Sequence, residues 1–298
     1  MTDAAQTPGT GATTPELSVV IAAHNAAVTL PEQLEALRTE QWAQPWEIVL
    51  VDNASTDDTR AVAEQFSAGL ERLRIVDALT GLGPAHARNV GASHAVGRSL
   101  AFCDADDVIA GGWVRAMGEA LGSHEFVSGP LELHQLNADW LADSRGSTGT
   151  NGAVWFDGVF PFASSCNFGI RRERFDELGG FDEALHVGED IELSYRLSQA
   201  GVELRFEPAA VVHYRYRPTL RATFDQARAY GASRPRIAER LRTDGAEVSQ
   251  WQGARNWAWL VKHADLLGTK AGRARWLWVA GQRVGNLQGS LEVRRLYL

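Results

Sequence analysis

Four short, mostly apolar runs in the first third of the chain constrain its fold more than any other feature. They cover Leu17 to Ala23, Trp46 to Val51, Leu73 to Val76 and Ser99 to Cys103. The first of them is an almost continuous apolar run with two valines and an isoleucine, which is typical of a strand that is buried on both faces of a parallel sheet. Segments with helical periodicity separate the runs, so we predict an α/β fold whose mainly parallel central sheet is flanked by helices.

Carboxylates directly follow two of these runs. Asp52 follows the second run, and Asp104, Asp106 and Asp107 follow the fourth. Ligands of open parallel sheets bind at the carboxyl ends of the strands, so Asp52 and Asp104 are predicted to face one ligand. Three acids in four residues repel one another, and they are tolerated where Mg²⁺ or Mn²⁺ binds them or where solvent screens them. The run therefore predicts either a metal–diphosphate site or a solvated acidic turn.

The turn after the first strand excludes two common nucleotide-binding folds. A dinucleotide-binding fold needs a glycine-rich turn there, but residues 22–27 contain no glycine. The chain also has no Gly-Lys-Ser or Gly-Lys-Thr of a phosphate loop. Phosphates would then be held by a metal and by side chains.

The second half of the chain has a different pattern. We predict two further strands, a helix, a last short strand and then only helices: Val127 to Leu133, Ser164 to Ile170, Gly188 to Ala200, Val211 to Tyr216, and the chain from Pro218. The long connection from Gln135 to Phe160 contains Trp140, Trp155 and Phe156.

Composition limits the class of protein. The net charge of −8 argues against general affinity for nucleic acid. The two cysteines, Cys103 and Cys166, form neither a zinc pattern nor a disulfide framework, which favours a reducing cytoplasm. We find no secretory signal and no apolar run of roughly 18 residues that could cross a bilayer. We expect a disordered tail at 1–15, a catalytic domain at 16–217 and a helical extension at 218–298.

The last 48 residues are basic and rich in tryptophan. They carry eight Lys or Arg residues against Asp265 and Glu292, and they contain five tryptophans: Trp251, Trp257, Trp259, Trp276 and Trp278. Such a segment suits an anionic membrane surface. The alternative is a helical appendage that packs its tryptophans on the catalytic core or on a second subunit in a homodimer.

Five segments, in this order, resemble family 2 glycosyltransferases of the GT-A fold. They are residues 18–25 (SVVIAAHN), 51–59 (VDNASTDDT), 87–91 (ARNVG), 102–107 (FCDADD) and 188–190 (GED). The resemblance extends from about Leu17 to Tyr216. It implies a GT-A nucleotide-sugar-binding fold and a donor substrate that is a nucleotide-diphosphate sugar. Because sugars stack on aromatic faces, the aromatic residues of the connection from Gln135 to Phe160 would then form either an acceptor lid or ordinary packing.

The resemblance also implies roles for individual residues. Asp52 would receive a hydrogen bond from the nucleobase, and Asp104 would contact the ribose or a sugar hydroxyl. Arg88 would contact the base or a phosphate. The other residues implied in donor binding are Ala22, His24, Asn25 and Asn53.

The metal and the general base are implied in the same way. Asp106 would bind Mn²⁺ or Mg²⁺, and His213, at the end of a strand, would complete the metal site. The alternative for His213 is a structural histidine. Asp190 would be the general base, since the acceptor hydroxyl must lose its proton to a carboxylate within hydrogen-bond reach. Glu189 would be its structural partner.

The hypothesis from sequence is a cytoplasmic, metal-dependent, inverting glycosyltransferase, located at the inner membrane surface if the C-terminal segment binds lipid. Its acceptor would be a carbohydrate or a lipid-linked sugar, as in cell-surface polysaccharide or glycolipid synthesis. One alternative is a non-catalytic sugar-nucleotide-binding or scaffold protein. The other is a nucleotidyltransferase, which usually has a glycine-rich basic loop after the first strand.

Overall fold

A computed structural model of the chain describes residues 14–145, 149–246, 248 and 253–297. Most of the tail predicted at 1–15 lies outside the described residues, and so does Trp251.

Twelve strands occur among the described residues. In chain order they are β1 (Leu17–Ala23), β2 (Trp46–Asp52), β3 (Leu73–Asp77), β4 (Ser99–Asp104), β5 (Val108–Ile109), β6 (Phe126–Ser128), β7 (Leu131–Glu132), β8 (Val154–Phe156), β9 (Phe160–Phe162), β10 (Phe168–Arg171), β11 (Leu204–Phe206) and β12 (Val212–His213).

The same part of the chain contains ten α-helices. They are α1 (Leu30–Thr39), α2 (Thr59–Ser67), α3 (Pro84–His94), α4 (Trp113–Ser123), α5 (Asp139–Ala142), α6 (Arg172–Glu177), α7 (Glu189–Gln199), α8 (Leu220–Thr243), α9 (Ala254–Lys262) and α10 (Lys270–Glu292). Two 3₁₀ turns cover Ser165–Asn167 and Ala264–Gly268.

Seven strands form the central sheet, in the order β11-β6-β10-β4-β1-β2-β3. Strands β4, β1, β2 and β3 run parallel, and β10 is antiparallel to both of its neighbours. The register pairs Ala22 with Asp104 and Ala23 with Asp52. The mainly parallel sheet predicted from the apolar runs is therefore confirmed, and both carboxylates lie at its carboxyl edge.

Alternate residues of β1 enter two different cores. Val19 and Ile21 pack with Leu34 of α1 and Trp113 of α4, whereas Val20 joins a cluster on the other face. Burying one such side chain stabilises the fold by about 1.5–3 kcal/mol. Burial on both faces explains why the strand sequence is continuously apolar.

The second half differs from the predicted elements in detail. The strand expected from Val127 to Leu133 is split into β6 and β7, because Pro130 has no N–H to donate to a ladder. The strand expected from Ser164 begins at Phe168, after a 3₁₀ turn. The long connection after Gln135 contains α5 and β8, and β8 pairs with β9 as a hairpin.

The C-terminal helices α8 and α10 pack with their backbones unusually close together. A Cβ atom at Gly285 would lie 2.0 Å from the carbonyl oxygen of Arg228, and one at Gly231 would lie 2.2 Å from that of Gln282. Ile237 of α8 also packs with Tyr195 of α7 and with the β8–β9 hairpin. The extension is thus attached directly to the elements that carry Asp190.

No helix within the described ranges is long and apolar enough to cross a membrane.

Candidate active site

A cavity of about 450 Å³ opens at the carboxyl edge of the central sheet. Seven of the ten predicted site residues line it: Ala22, His24, Asn25, Asn53, Arg88, Asp104 and Asp106. Four segments far apart in the sequence thus meet at one place, as the strand order requires. Asp52, Asp190 and His213 are outside this lining.

Arg88 of α3 joins the cavity to the helix that carries Asp190. The Arg88 guanidinium is buried, and it donates to Asp104 Oδ1 at 2.6 Å and to Glu189 Oε1 at 2.7 Å. Burial alone would lower the pKa of Arg88, but these carboxylates raise it above its usual value. Arg88 is therefore a charged clamp between β4 and α7, a role that the sequence did not predict.

The acidic run has basic partners from the segment after β12. Arg217 donates to Asp106 Oδ2 at 2.8 Å, and the Arg215 backbone N–H donates to Asp107 Oδ1 at 2.7 Å. Burial raises the pKa of Asp106 and of Asp107, and the neighbouring carboxylates raise both further. The run is thus a packed cluster rather than the solvated acidic turn that was the alternative.

One group of possible metal ligands occurs among the described residues. Ligand atoms of Asp104, Asp107 and Cys166 lie within 4.8 Å of one another, and Asp107 Oδ2 is buried without a hydrogen-bond partner in the described structure. Two carboxylates suit Mg²⁺ or Mn²⁺. Burial raises the pKa of the Cys166 thiol well above its usual value, so its sulfur is the weaker ligand.

The two predicted metal ligands lie outside this group. Asp106 is one residue away and pairs with Arg217. The register of β12 with β7 pairs His213 with Glu132, and the ring Nδ1 lies 2.9 Å from Glu132 Oε2. The metal role of both residues remains a prediction.

Asp190 lies in the first turn of α7. Gly188, at the helix N-cap, has φ +88°, a conformation that glycine adopts without strain. Asp190 accepts hydrogen bonds from the N–H groups of Ser165 at 3.0 Å and Ile191 at 2.8 Å. Burial outweighs these bonds and raises its pKa, which brings a carboxylate closer to the range of a general base.

Two predicted donor-binding residues are occupied in holding loops. Asn53 donates to the carbonyl oxygens of Ala78 and Gly81 and accepts from the Gly83 N–H, so it shapes the loop between β3 and α3. Asp52 is buried and accepts from the Ser55 N–H at 3.1 Å. Their contact with a donor remains a prediction.

Sequence reasoning missed two parts of the cavity wall. Leu82, an exposed apolar residue, lines it together with Gly83 and Pro84, and Arg217 closes it beside Asp106. Leu82 could have been identified from the sequence, because it is an apolar residue in a glycine-rich loop that precedes a helix. The pairing of Arg217 with Asp106 joins residues 111 positions apart, and the sequence gives no local sign of it.

The aromatic residues of the predicted acceptor lid have three different environments. Trp140 lies under the Lys270 ammonium group, 4.0 Å from the ring centroid, and Phe156 is buried. Trp155 is 56% exposed. Only Trp155 of these three therefore has an open face.

Most described tryptophans of the C-terminal segment make contacts within the protein. Trp259 stacks on His263, Trp276 donates to the Leu260 carbonyl oxygen, and Trp278 lies under Arg145. Trp257 is exposed, as is Val261 one turn later on α9. Trp259 and Trp276 thus contact the C-terminal segment itself, and Trp278 contacts the predicted catalytic domain. Membrane binding and docking both remain predictions.

Comparisons with known proteins agree with this geometry. Residues 18–179 match Glycosyl transferase family 2, and residues 100–282 match Glycosyl transferase family group 2. Pre-mycofactocin glycosyltransferase of Mycobacterium tuberculosis is 26% identical over 302 residues, which cover 93% of this chain and 59% of that protein. Glycosyltransferase AglE of Haloferax volcanii is 28% identical over 197 residues, 65% of each chain.

Two solved structures have a similar fold. A mannosyltransferase of Pyrobaculum calidifontis in complex with GDP-Man and Mn²⁺ matches with a TM-score of 0.62 at 20% identity, covering 93% of this chain and 88% of that one. S. aureus TarS 1–349 in complex with UDP-GlcNAc matches with a TM-score of 0.53 at 18% identity, covering 95% and 93%.

The fold is of the GT-A class, with a cavity at the carboxyl edge of its central sheet. The chain belongs to glycosyl transferase family 2, whose match covers more than half of it. The family and the fold that the sequence motifs predicted are both confirmed.

Proposed function

We propose that this chain transfers a sugar from a nucleotide-diphosphate sugar to an acceptor hydroxyl, with inversion at the anomeric carbon and with help from a divalent metal. The observation that carries the proposal is the Arg88 clamp, which holds Asp104 of the cavity and Glu189, the neighbour of Asp190, on one guanidinium. The clamp would thereby hold the donor pocket next to the general base.

The donor would occupy the cavity beside the acidic run. His24 and Asn25 would form one side of the nucleotide pocket, and Leu82 would form the opposite apolar side. The complexes of the Pyrobaculum mannosyltransferase with GDP-Man and of TarS with UDP-GlcNAc support this class of donor. They do not determine which nucleobase or which sugar the donor of this chain carries.

The acidic run would hold the metal. Asp104 and Asp107 offer the oxygen atoms, with Asp106 beside them, and the unpartnered Asp107 Oδ2 fits a cation. A bound Mn²⁺ or Mg²⁺ would neutralise the charge that develops on the leaving diphosphate. Arg217 also lines the cavity and would add a fixed positive charge there.

Asp190 would take the proton from the acceptor hydroxyl. Its two oxygen atoms are oriented by the N–H groups of Ser165 and Ile191, so the carboxylate is positioned before substrates bind. A single carboxylate that activates the acceptor opposite the leaving group produces one in-line displacement. We therefore propose inversion.

Neither alternative from the sequence is favoured. A non-catalytic binding protein would not need a carboxylate that is both oriented and raised in pKa, as Asp190 is. A nucleotidyltransferase would need a glycine-rich basic loop after β1, and residues 22–27 have neither glycine nor a basic Lys or Arg.

We also propose a cytoplasmic location with contact at the inner membrane surface. The exposed Trp257 and Val261 of α9 stand among Arg255, Lys262 and Lys270, a combination that anionic lipid attracts. Such contact would bring the protein to a lipid-linked acceptor in polysaccharide or glycolipid synthesis.

The test measures nucleoside diphosphate release from UDP-, GDP- and dTDP-sugars with Mn²⁺. Asp190→Asn should lower turnover by about 10²–10⁴-fold, the usual size of general-base catalysis, while donor binding barely changes. Asp176→Asn, an exposed aspartate of α6, is the control and should leave turnover unchanged.

NMR of the freshly released sugar then reports its configuration, and an α-linked donor should give the β-anomer first. Near-normal turnover in Asp190→Asn would move the base to Glu189 or Asp107. A first-formed α-anomer would exclude inversion.

A further inference from the structure

Tyr230 of α8, in the C-terminal extension, contacts the segment that follows β12. Its hydroxyl accepts from Gln226 Nε2 at 3.3 Å and is hydrogen-bonded to Tyr214. Burial of the hydroxyl, with a smaller contribution from the charges of Asp190 and Asp104, raises the pKa of Tyr230 to about 12. Tyr214 directly precedes Arg215, whose N–H donates to Asp107, so the end of the Tyr230 side chain lies next to the segment that holds the acidic run.

The rest of the Tyr230 side chain is open to solvent. The residue is 41% exposed although its hydroxyl is enclosed. An aromatic ring with a fixed polar end and an accessible apolar body is a typical sugar-binding surface, because the C–H groups of a pyranose pack against the ring.

The ring of Tyr230 is braced from behind. Trp278 of α10 contacts it edge to face, with 5.8 Å between ring centroids and 83° between planes. The Arg145 guanidinium lies 3.7 Å from the Trp278 ring centroid and 4.3 Å from that of Tyr216. Two helices and the segment after β12 thus hold the ring in one orientation.

A second exposed aromatic residue stands on a neighbouring element. Arg234, one helical turn after Tyr230, pairs with Asp157 in the turn between β8 and β9. This pair joins α8 to the hairpin, on which Trp155 lies two residues before Asp157. The segment after the hairpin continues to Ser165, whose N–H donates a hydrogen bond to Asp190. The hairpin and α8 are therefore both connected to the surroundings of the candidate base.

We propose that Tyr230 is the platform on which a carbohydrate ring of the acceptor stacks, with Trp155 as the second aromatic contact. The inference rests on the proposed function, and it specifies the acceptor class: a saccharide, or a molecule with a sugar at its accepting end. It also makes the C-terminal extension part of the acceptor site.

Saturation-transfer NMR tests the proposal with methyl glycosides of glucose, galactose, mannose and N-acetylglucosamine. The samples contain UDP or GDP and diamagnetic Mg²⁺. At least one glycoside should receive saturation from the wild-type protein. Tyr230→Ala should weaken glycoside binding by about three- to ten-fold, the size of a lost aromatic contact.

Three further variants separate stacking from folding. Tyr230→Phe keeps the ring and should bind the glycoside almost as the wild type does. Tyr230→Leu keeps apolar bulk against Trp278, removes the aromatic face, and should lose binding. Leu287→Ala removes an α10 side chain of similar exposure, 37%, and should change nothing.

The nucleotide signals in the same samples distinguish failure of the acceptor platform from failure of the proposed function. If UDP or GDP binds but no glycoside does, or if Tyr230→Ala binds glycosides as the wild type does, the acceptor platform is excluded and the proposed function stands. If neither nucleotides nor glycosides bind, the proposed function fails as well.

Discussion

Replacing Arg88 with methionine should lower the free energy of unfolding by about 3–5 kcal/mol, the usual result of removing one partner from a buried ion pair. Arg88 is 3% exposed and makes two charged hydrogen bonds of 2.6 and 2.7 Å. Without it, Glu189 would stay buried beside Asp190 with no cation. Methionine fills a similar volume, so the loss of stability should come mainly from the missing positive charge.

The loss of unfolding free energy caused by Arg88→Met should increase with pH. Burial, and then the charge of Asp190, raise the pKa of Glu189 to about 7, and Arg88 opposes them. Removing Arg88 raises this pKa further above the unfolded value of about 4.3. When a group binds its proton more tightly in the folded state, the protein loses stability as the pH rises from the unfolded-state pKa to the folded-state pKa of that group. The destabilisation should therefore be larger at pH 8 than at pH 5.5.

Urea unfolding followed by tryptophan fluorescence measures the effect. Arg98→Met is the control, because Arg98 is an exposed partner of Glu16 and its loss should change stability by at most about 1 kcal/mol. Adding Glu189→Gln to Arg88→Met should restore part of the stability. If Arg88→Met loses no more than Arg98→Met at both pH values, the clamp does not hold the site together.

Three further predictions concern the extension and the metal. Gly285→Leu should destabilise the protein by about 1–3 kcal/mol, because its Cβ would meet the Arg228 carbonyl oxygen; an unchanged melting temperature would contradict the close helix packing. Asp106→Ala should abolish transfer and EDTA should inhibit the wild type, whereas full activity in excess EDTA would exclude metal dependence. Trp257→Ser should weaken flotation with anionic vesicles at low salt, and a wild type that never floats would exclude lipid contact.

The central strands could be predicted because each strand carries its own signal. Alternate residues of β1 enter two different cores, so burial on both faces had to appear as a continuous apolar run. The positions of Asp52 and Asp104 followed, because parallel strands end at the same edge of a sheet.

The partners within the site could not be predicted in the same way. The contact of Arg88 with Glu189 joins residues 101 positions apart, and that of Arg217 with Asp106 joins residues 111 apart. Such pairs depend on how loops and helices pack. The orientation of His213 toward Glu132 depends on the register of β12 with β7, two strands of two residues each. Strands that short have no periodicity from which to predict a register.

Calorimetric titration with UDP-, GDP- and dTDP-sugars, in Mn²⁺ and again after EDTA, tests the central claim most directly. The account predicts that one donor class saturates a single site in Mn²⁺, and that binding weakens when EDTA removes the metal or when Asp106→Ala removes a carboxylate beside it. Absence of binding by all three donors in Mn²⁺, with the protein folded, would contradict the assignment of this cavity to a nucleotide-diphosphate sugar.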